Sequence, residues 1–200
     1  MTESFTVSVG KPAKEFTIVK SIATRSSKYF QAALEKCWKE GHKNRVELSE
    51  HCADAFEGYV QWLYTKEITL AGGRKVSYEE CQLYILGDYL GDQSFCNAVI
   101  DHAVSRWIDH KFVMCIHATK LVWSSTPEGS PLRTLVFEML SNYPPSKAIE
   151  NLKRHHSCCN NEFLLEYFEQ LVRSQRLDTA RRFTIDDKKQ VGEKVKRLMS

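Results

Sequence analysis

Between residues 46 and 65 the spacing of apolar positions changes period. Val46-Glu47-Leu48 alternates, as a strand with one buried face does. Phe56, Tyr59, Val60, Leu63 and Tyr64 then recur at i, i+3, i+4, i+7 and i+8, the spacing of one buried helix face. Trp62 falls about 130° from the centre of that stripe at 100° per residue. A large ring there needs a second partner or faces outward.

The same periodicities place the other elements. Phe5, Val7 and Val9 alternate with Thr6 and Ser8 in a first strand. Gly10-Lys11-Pro12 turns the chain into a second, carrying Phe16 and Ile18, so the two predict a hairpin. Ser27 caps a helix bearing Tyr29, Phe30, Ala33 and Leu34. Arg45 to Leu48 forms the third strand, and Ile68 with Leu70 predicts a short edge strand before Gly72-Gly73. Ser77 and Glu80 read as a capping box for a helix from Cys81 to Leu90. Apolar residues nearly encircle that helix, Tyr89 among them, which predicts burial. Asp92 caps the cleanest amphipathic helix, with Phe95, Cys96, Val99, Ile100, Ala103, Val104, Trp107 and Ile108 on one face.

Only helical signals follow. Val113 to Trp123 is one helix. Ser130-Pro131 caps and starts another, with Leu132, Leu135, Val136, Met139 and Leu140, which Pro144-Pro145 ends. Asn160 or Asn161 caps a third, with Phe163, Leu164, Tyr167, Phe168, Leu171 and Val172. A last helix spans Asp186 to Leu198. The boundary between the halves falls near Asp109-His110-Lys111, giving domains at 4–109 and 110–200. The fold class is α+β: a small mixed sheet covered by helices, then an all-helical extension.

Composition narrows the functional classes. Of 200 residues, 42% are hydrophobic and 26% charged, as in ordinary globular proteins. No apolar run reaches the roughly 18 residues of a membrane helix, and the acidic start, Met-Thr-Glu-Ser-Phe, is no signal peptide. No membrane partner is expected. The seven cysteines are scattered and odd in number, which reads as reduced thiols in the cytoplasm or nucleus. The net charge of +3 is uneven, since residues 173–200 hold nine Lys or Arg against four Asp or Glu. Without base-stacking aromatics, that stretch reads as a solvated amphipathic helix and not as a nucleic-acid site.

The first half resembles a BTB/POZ domain. Phe16-Thr17-Ile18-Val19-Lys20 is similar to the family's Phe-x-Val-His-Lys, with Val19 in place of the histidine. Ser27-Lys28-Tyr29-Phe30 resembles its Ser-x-Tyr/Phe-Phe. Val46-Glu47-Leu48, Phe56 and Trp62-Leu63-Tyr64-Thr65 resemble its centre. Leu83-Tyr84-x-Leu86-Gly87-Asp88 is similar to its Leu-Tyr-x-Leu-Ala-Asp, with Gly87 for alanine. These segments cover about residues 5 to 107 in order. The second half resembles the extension of many fungal BTB proteins, in which Thr-Pro-Glu-Gly-Ser-Pro-Leu-Arg opens a helix, as Thr126 to Arg133 does here.

The resemblance implies a non-enzymatic protein-interaction module with no cofactor and no small-molecule substrate. Cullin-binding relatives carry a hydrophobic-x-Glu element before the third strand, and Trp38-Lys39-Glu40 falls at that place. Trp38 and Glu40 are therefore candidate residues for a cullin scaffold, with the chain as a ubiquitin-ligase adaptor. The competing reading puts Trp38 into the core, four residues beyond Leu34. Trp62 is the third candidate partner residue, weighed against packing on the C-terminal helices. Relatives that homodimerise by exchanging an N-terminal segment carry a helix ahead of the first strand. Five residues do not form one, so a monomer or another dimer is expected.

Two alternatives stay open: a scaffold or transcription-linked self-association protein, and a thiol- or metal-dependent enzyme. No Gly-x-Ser-x-Gly, phosphate-binding glycine loop or His-Glu-x-x-His supports catalysis. His155-His156-x-Cys158-Cys159 is the one metal-like cluster, but adjacent ligands tend to point apart and no second pair lies near in sequence. No metal, catalytic or cofactor residue is assigned.

Overall fold

The structure is a computed structural model and describes residues 3–39, 44–70, 76–110, 116–142, 150, 152–155, 159–175 and 185–197, with backbone only at 36–39, 76–77, 110, 171–175 and 185–188. The chain divides into two compact units. The first comprises residues 1–72 and 82–99, the second residues 73–81 and 100–200.

In the first unit, strands β1 (Ser4–Val9), β2 (Lys14–Val19) and β3 (Arg45–Leu48) form a sheet in the order β2-β1-β3. The predicted hairpin is present: β1 and β2 are antiparallel, with Ser4 opposite Val19 and Val9 opposite Lys14. β3 lies parallel to β1, with Thr6 opposite Arg45 and Val9 opposite Leu48. Gly10 leaves β1 at φ +80°, where a side chain would be strained, and donates its N–H to the Leu48 carbonyl at 3.1 Å.

Helix α1 (Lys20–Ser26) follows β2 directly, a helix the apolar pattern does not mark. Helix α2 (Lys28–Lys39) begins after Ser27, whose Oγ accepts the Phe30 N–H at 3.1 Å and donates to the Leu90 carbonyl at 2.7 Å. The predicted cap thus also ties two helices together. Helices α3 (Ala53–Thr65), α4 (Val76–Leu90) and α5 (Gln93–His110) follow.

The buried face of α3 differs from the predicted stripe. Its buried residues are Ala55, Phe56, Tyr59, Trp62 and Leu63. The stripe's centre is rotated by about 70° toward Trp62 at 100° per residue. Tyr64 is 50% exposed, and its hydroxyl accepts the Val19 N–H at 3.2 Å. The cause is Phe95, the first large apolar residue of α5. Its ring lies 4.8 Å from that of Tyr59 and 5.1 Å from that of Trp62.

Three other expectations need correction. Residues 66–70 form no strand; instead Thr65 Oγ1 accepts the Glu67 N–H at 3.1 Å and Gln61 Nε2 donates to Thr69 Oγ1 at 3.1 Å. These side-chain bonds compete with sheet pairing. Ser77 lies inside α4, so it does not cap that helix. Glu80 is buried within the second unit, 2.8 Å from His102 Nδ1 and 3.5 Å from Arg106 NH1, and serves as a counter-charge there. Tyr89, expected in the core, is 50% exposed. Gly72-Gly73, Val113 and Pro144-Pro145 lie outside the described residues.

The second unit continues with α6 (Ile116–Ser125), α7 (Pro131–Ser141), α8 (Asn161–Gln175) and α9 (Ile185–Arg197). Its core is an aromatic cluster in which Trp123 meets Phe137 at 5.1 Å and Phe163 at 4.9 Å, with Tyr167 at 5.6 Å from Phe163. Pro131 opens α7 as expected, but the Ser130 hydroxyl makes no capping bond; the Ser130 carbonyl accepts the Thr134 N–H instead. Asn160 caps α8, its Oδ1 accepting the Glu162 N–H at 2.8 Å. Phe168, placed on the buried stripe by its spacing, is 66% exposed, since Phe163 and Tyr167 already fill the core beside α7.

Candidate functional site

The architecture of the first unit depends on a buried hydrogen-bonded junction. Asp92 is 1% exposed and precedes α5. Its Oδ1 accepts the Phe95 N–H at 3.0 Å, satisfying an N-terminal donor, and its Oδ2 accepts the Tyr59 hydroxyl at 2.9 Å. Burial holds the Asp92 carboxyl above its ordinary range, against the lowering effect of these donors. The Tyr59 phenol is also pushed up, by burial first and by Asp92 second. Around the junction, Phe5, Phe30 and Phe56 meet edge to face, at 5.3 Å for Phe5 with Phe30 and 6.3 Å for Phe30 with Phe56.

On that frame α1 and α2 enclose a groove of about 570 Å³. Lys20, Ser21, Thr24 and Arg25 line it from α1, and Gln31, Leu34 and Glu35 from α2. Leu34 is 2% exposed and gives an apolar floor, while the rim carries charges of both signs. Lys20 pairs with Glu3 at 3.3 Å, and Thr24 Oγ1 donates to the Lys20 carbonyl at 2.9 Å. A groove with an apolar floor and a polar rim suits a peptide side chain.

Trp38 lies in the last turn of α2, one turn beyond Leu34 and Glu35, and only its backbone is described. Glu40 lies outside the described residues. Trp62 is 4% exposed; its ring stacks on Tyr59 at 6.2 Å, and Lys66 Nζ stands 3.8 Å from its centroid. Offered as a partner residue or as packing for the C-terminal helices, it has Tyr59, Phe95 and Lys66 against its ring. Its off-stripe angle was measured from a stripe centred too far from it.

A surface feature escaped the sequence reading. The rings of His51, Tyr89 and Tyr29 form a continuous row, 4.2 Å from His51 to Tyr89 and 5.2 Å from Tyr89 to Tyr29. Burial holds the His51 imidazole below its ordinary range. The residues come from three separate stretches of sequence. Only the exposed position of Tyr89 on α4 could have signalled the row, and the apolar periodicity there pointed the other way.

The metal-like cluster takes a plain form where it is described. The His155 ring lies 4.7 Å from that of His117, and Cys159 Sγ donates to the His155 carbonyl at 3.6 Å. Among the described residues no group of three or more His, Cys, Asp or Glu could hold a metal ion; His156 and Cys158 lie outside them. Among the described cysteines, Cys81 and Cys96 are buried and Cys52 and Cys159 half-buried. Burial pushes the Cys96 thiol up, away from reactivity. Among the described residues no helix is long and apolar enough to cross a membrane.

A small mixed sheet closed by helices, with a groove on one helical pair, defines an α+β fold. Residues 4–87 match the family model of the BTB/POZ domain, and the chain carries that domain there. It is a protein–protein interaction module. No curated protein matches the chain.

Proposed function

We propose that this chain is a substrate adaptor of a cullin-type ubiquitin ligase. The BTB half docks the cullin through Trp38 and Glu40, and the helical half, from about residue 110 onward, holds the target. The observation that carries the reading is the place of Trp38 on a helix of the BTB domain. Leu34 and Glu35, one turn earlier, line the α1/α2 groove. A tryptophan, in a sequence that sets it two residues from a glutamate, is the residue type that interface hot spots favour.

The test is a pull-down of the host's BTB-binding cullin with the purified chain. The wild type should retain it, and Trp38→Ala with Glu40→Ala should lose at least about tenfold in affinity, as removal of a hot spot does. Absence of wild-type binding ends the proposal. Light scattering on the same sample separates the rival, because a stable homodimer that binds no cullin favours a self-associating scaffold.

A further inference from the structure

The turn between β3 and α3 is tied by backbone bonds at its ends and rests on one ring in its middle. The Leu48 carbonyl accepts the His51 N–H at 3.2 Å, and the Cys52 carbonyl accepts the Phe56 N–H at 3.1 Å. Cys52, the N-cap of α3, makes no side-chain capping bond. His51 stands one residue earlier, where an apolar contact fixes the angle at which a chain enters a helix. Its ring supplies such a contact, packing on Tyr89 of α4 at 4.2 Å with an interplanar angle of 51°. Tyr29 of α2 backs Tyr89 at 5.2 Å. All three residues belong to the first unit.

These surroundings favour the neutral imidazole. His51 is half-buried, which withholds solvent from a charge. The start of α3 presents the positive end of a helix dipole, which opposes a cation. The neighbouring helices offer it Tyr89 from α4 and, beyond, Tyr29 from α2, rings and not carboxylates. Asp88 and Lys28, next to them in sequence, are exposed, as is Asp54 in the first turn of α3. Glu50 in the turn itself favours the imidazolium, but Lys11 of the β1–β2 turn engages its carboxylate at 2.5 Å. Burial outweighs Glu50, and the imidazole is held below its ordinary range. A group that holds its proton less tightly inside a contact than in water opens that contact when it is protonated.

We propose that His51 is an acid-sensitive latch between the β3–α3 turn and α4. Neutral, its ring pins the turn on Tyr89. Protonated, it leaves the ring, which loosens the turn at the uncapped start of α3 and uncovers Tyr89. The latch uses neither Trp38 nor Glu40 and is independent of the cullin reading.

The experiment follows the His51 and Tyr89 ring resonances of the full chain by NMR as the pH falls from about 8 to about 5. His51 should titrate below its ordinary value of 6.5, and the Tyr89 ring should shift along the same curve. In His51→Phe, which keeps a ring on Tyr89 but takes no proton, that shift should vanish. Hydrogen exchange at amides 49–53, read as the ratio of wild type to His51→Phe so that the intrinsic pH dependence cancels, should rise as the pH falls. His51 titrating at or above its ordinary value overturns the proposal, because attraction of the imidazolium to the Tyr89 face would then hold the contact shut. A Tyr89 ring that stays still while His51 titrates also overturns it, as does a shift that persists in His51→Phe or an exchange ratio flat across the titration. The wild-type titration needs no variant, so it decides even where His51→Phe does not fold.

Discussion

Two helix ends in this chain enclose a buried charge, one in each unit, and they satisfy it differently. At the start of α5, the donors described at Asp92 are neutral: the Phe95 N–H, the Tyr59 hydroxyl and the Ser94 N–H. Beyond the end of α6, Arg133 is 4% exposed and meets both carbonyls and charges. Its NH2 donates to the carbonyls of Thr126 at 2.6 Å and Trp123 at 3.1 Å, and its Nε to Thr126 Oγ1 at 3.3 Å. Its NH1 reaches Glu162 at 2.7 Å and Glu166 at 3.1 Å, and its Cζ lies 5.1 Å from the Trp123 ring centroid. Both devices complement a helix dipole, acid at an N-terminus and base at a C-terminus. Only the second has opposite charges within hydrogen-bond reach, so only the second leaves other charges exposed to loss when it is removed.

The largest effect is therefore expected at Arg133. Arg133→Met leaves two close carboxylates and two buried carbonyls without their donor, and should cost about 3–5 kcal/mol, the range for breaking a buried pair. Urea denaturation followed by near-UV circular dichroism measures it. A loss below about 1 kcal/mol would mean that Glu162, whose side chain is 52% exposed, carries the interaction as a surface pair does. Arg133→Lys should recover only part of the loss, because an ammonium cannot span carbonyls and carboxylates at once.

Tyr59→Phe tests the other end. The substitution keeps the ring that packs on Phe95 and Trp62 but removes the hydroxyl from Asp92. A hydrogen bond to a charged group contributes about 1.5–3 kcal/mol, so the loss should fall in that range and below that of Arg133→Met. If the two variants lose equally, the contrast between neutral and charged partners is wrong. A crystal structure of Tyr59→Phe would show whether Phe95 keeps its place.

How much of this was legible follows from how local each signal is. Ser27, Asp92 and Asn160 were readable as caps, because a capping side chain acts within three residues of its own position. The hairpin was readable from two alternating runs around Gly10-Lys11-Pro12 and the third strand, Arg45–Leu48, from alternation, but the sheet order was not. The role of Thr126 to Arg133 was visible as a motif, but its meaning was not. Arg133 closes back on Thr126 and Trp123 and across to α8, and no local period encodes that. The same holds for Trp62 and Tyr64, whose burial is decided by Phe95, some thirty residues away. Of the candidate site, the position of Trp38 was legible and so was the helix that carries it. The groove beside it needed α1, which has too few apolar residues to mark itself.

The smallest effect, and the finest test of the comparison, is Asp92→Asn. Asparagine caps a helix about as well as aspartate, and its NH2 can donate to the Tyr59 oxygen where Oδ2 had accepted, so near pH 7 the change should stay within about 1 kcal/mol. The pH dependence is more telling. Burial raises the folded-state carboxyl above its ordinary value of 3.8, so the folded chain holds that proton more tightly than the unfolded one. Asp92's contribution to stability is then fully present below the unfolded value and is lost as pH rises through the folded value. Asparagine does not titrate. Across the window just above the ordinary carboxylate range, the stability of Asp92→Asn relative to wild type should therefore rise with pH. Parallel urea titrations of the two proteins through that window supply the measurement. A relative stability that instead falls with pH would show that the Phe95 N–H, the Tyr59 hydroxyl and the α5 dipole outweigh burial, and would make Asp92 as well compensated as Arg133.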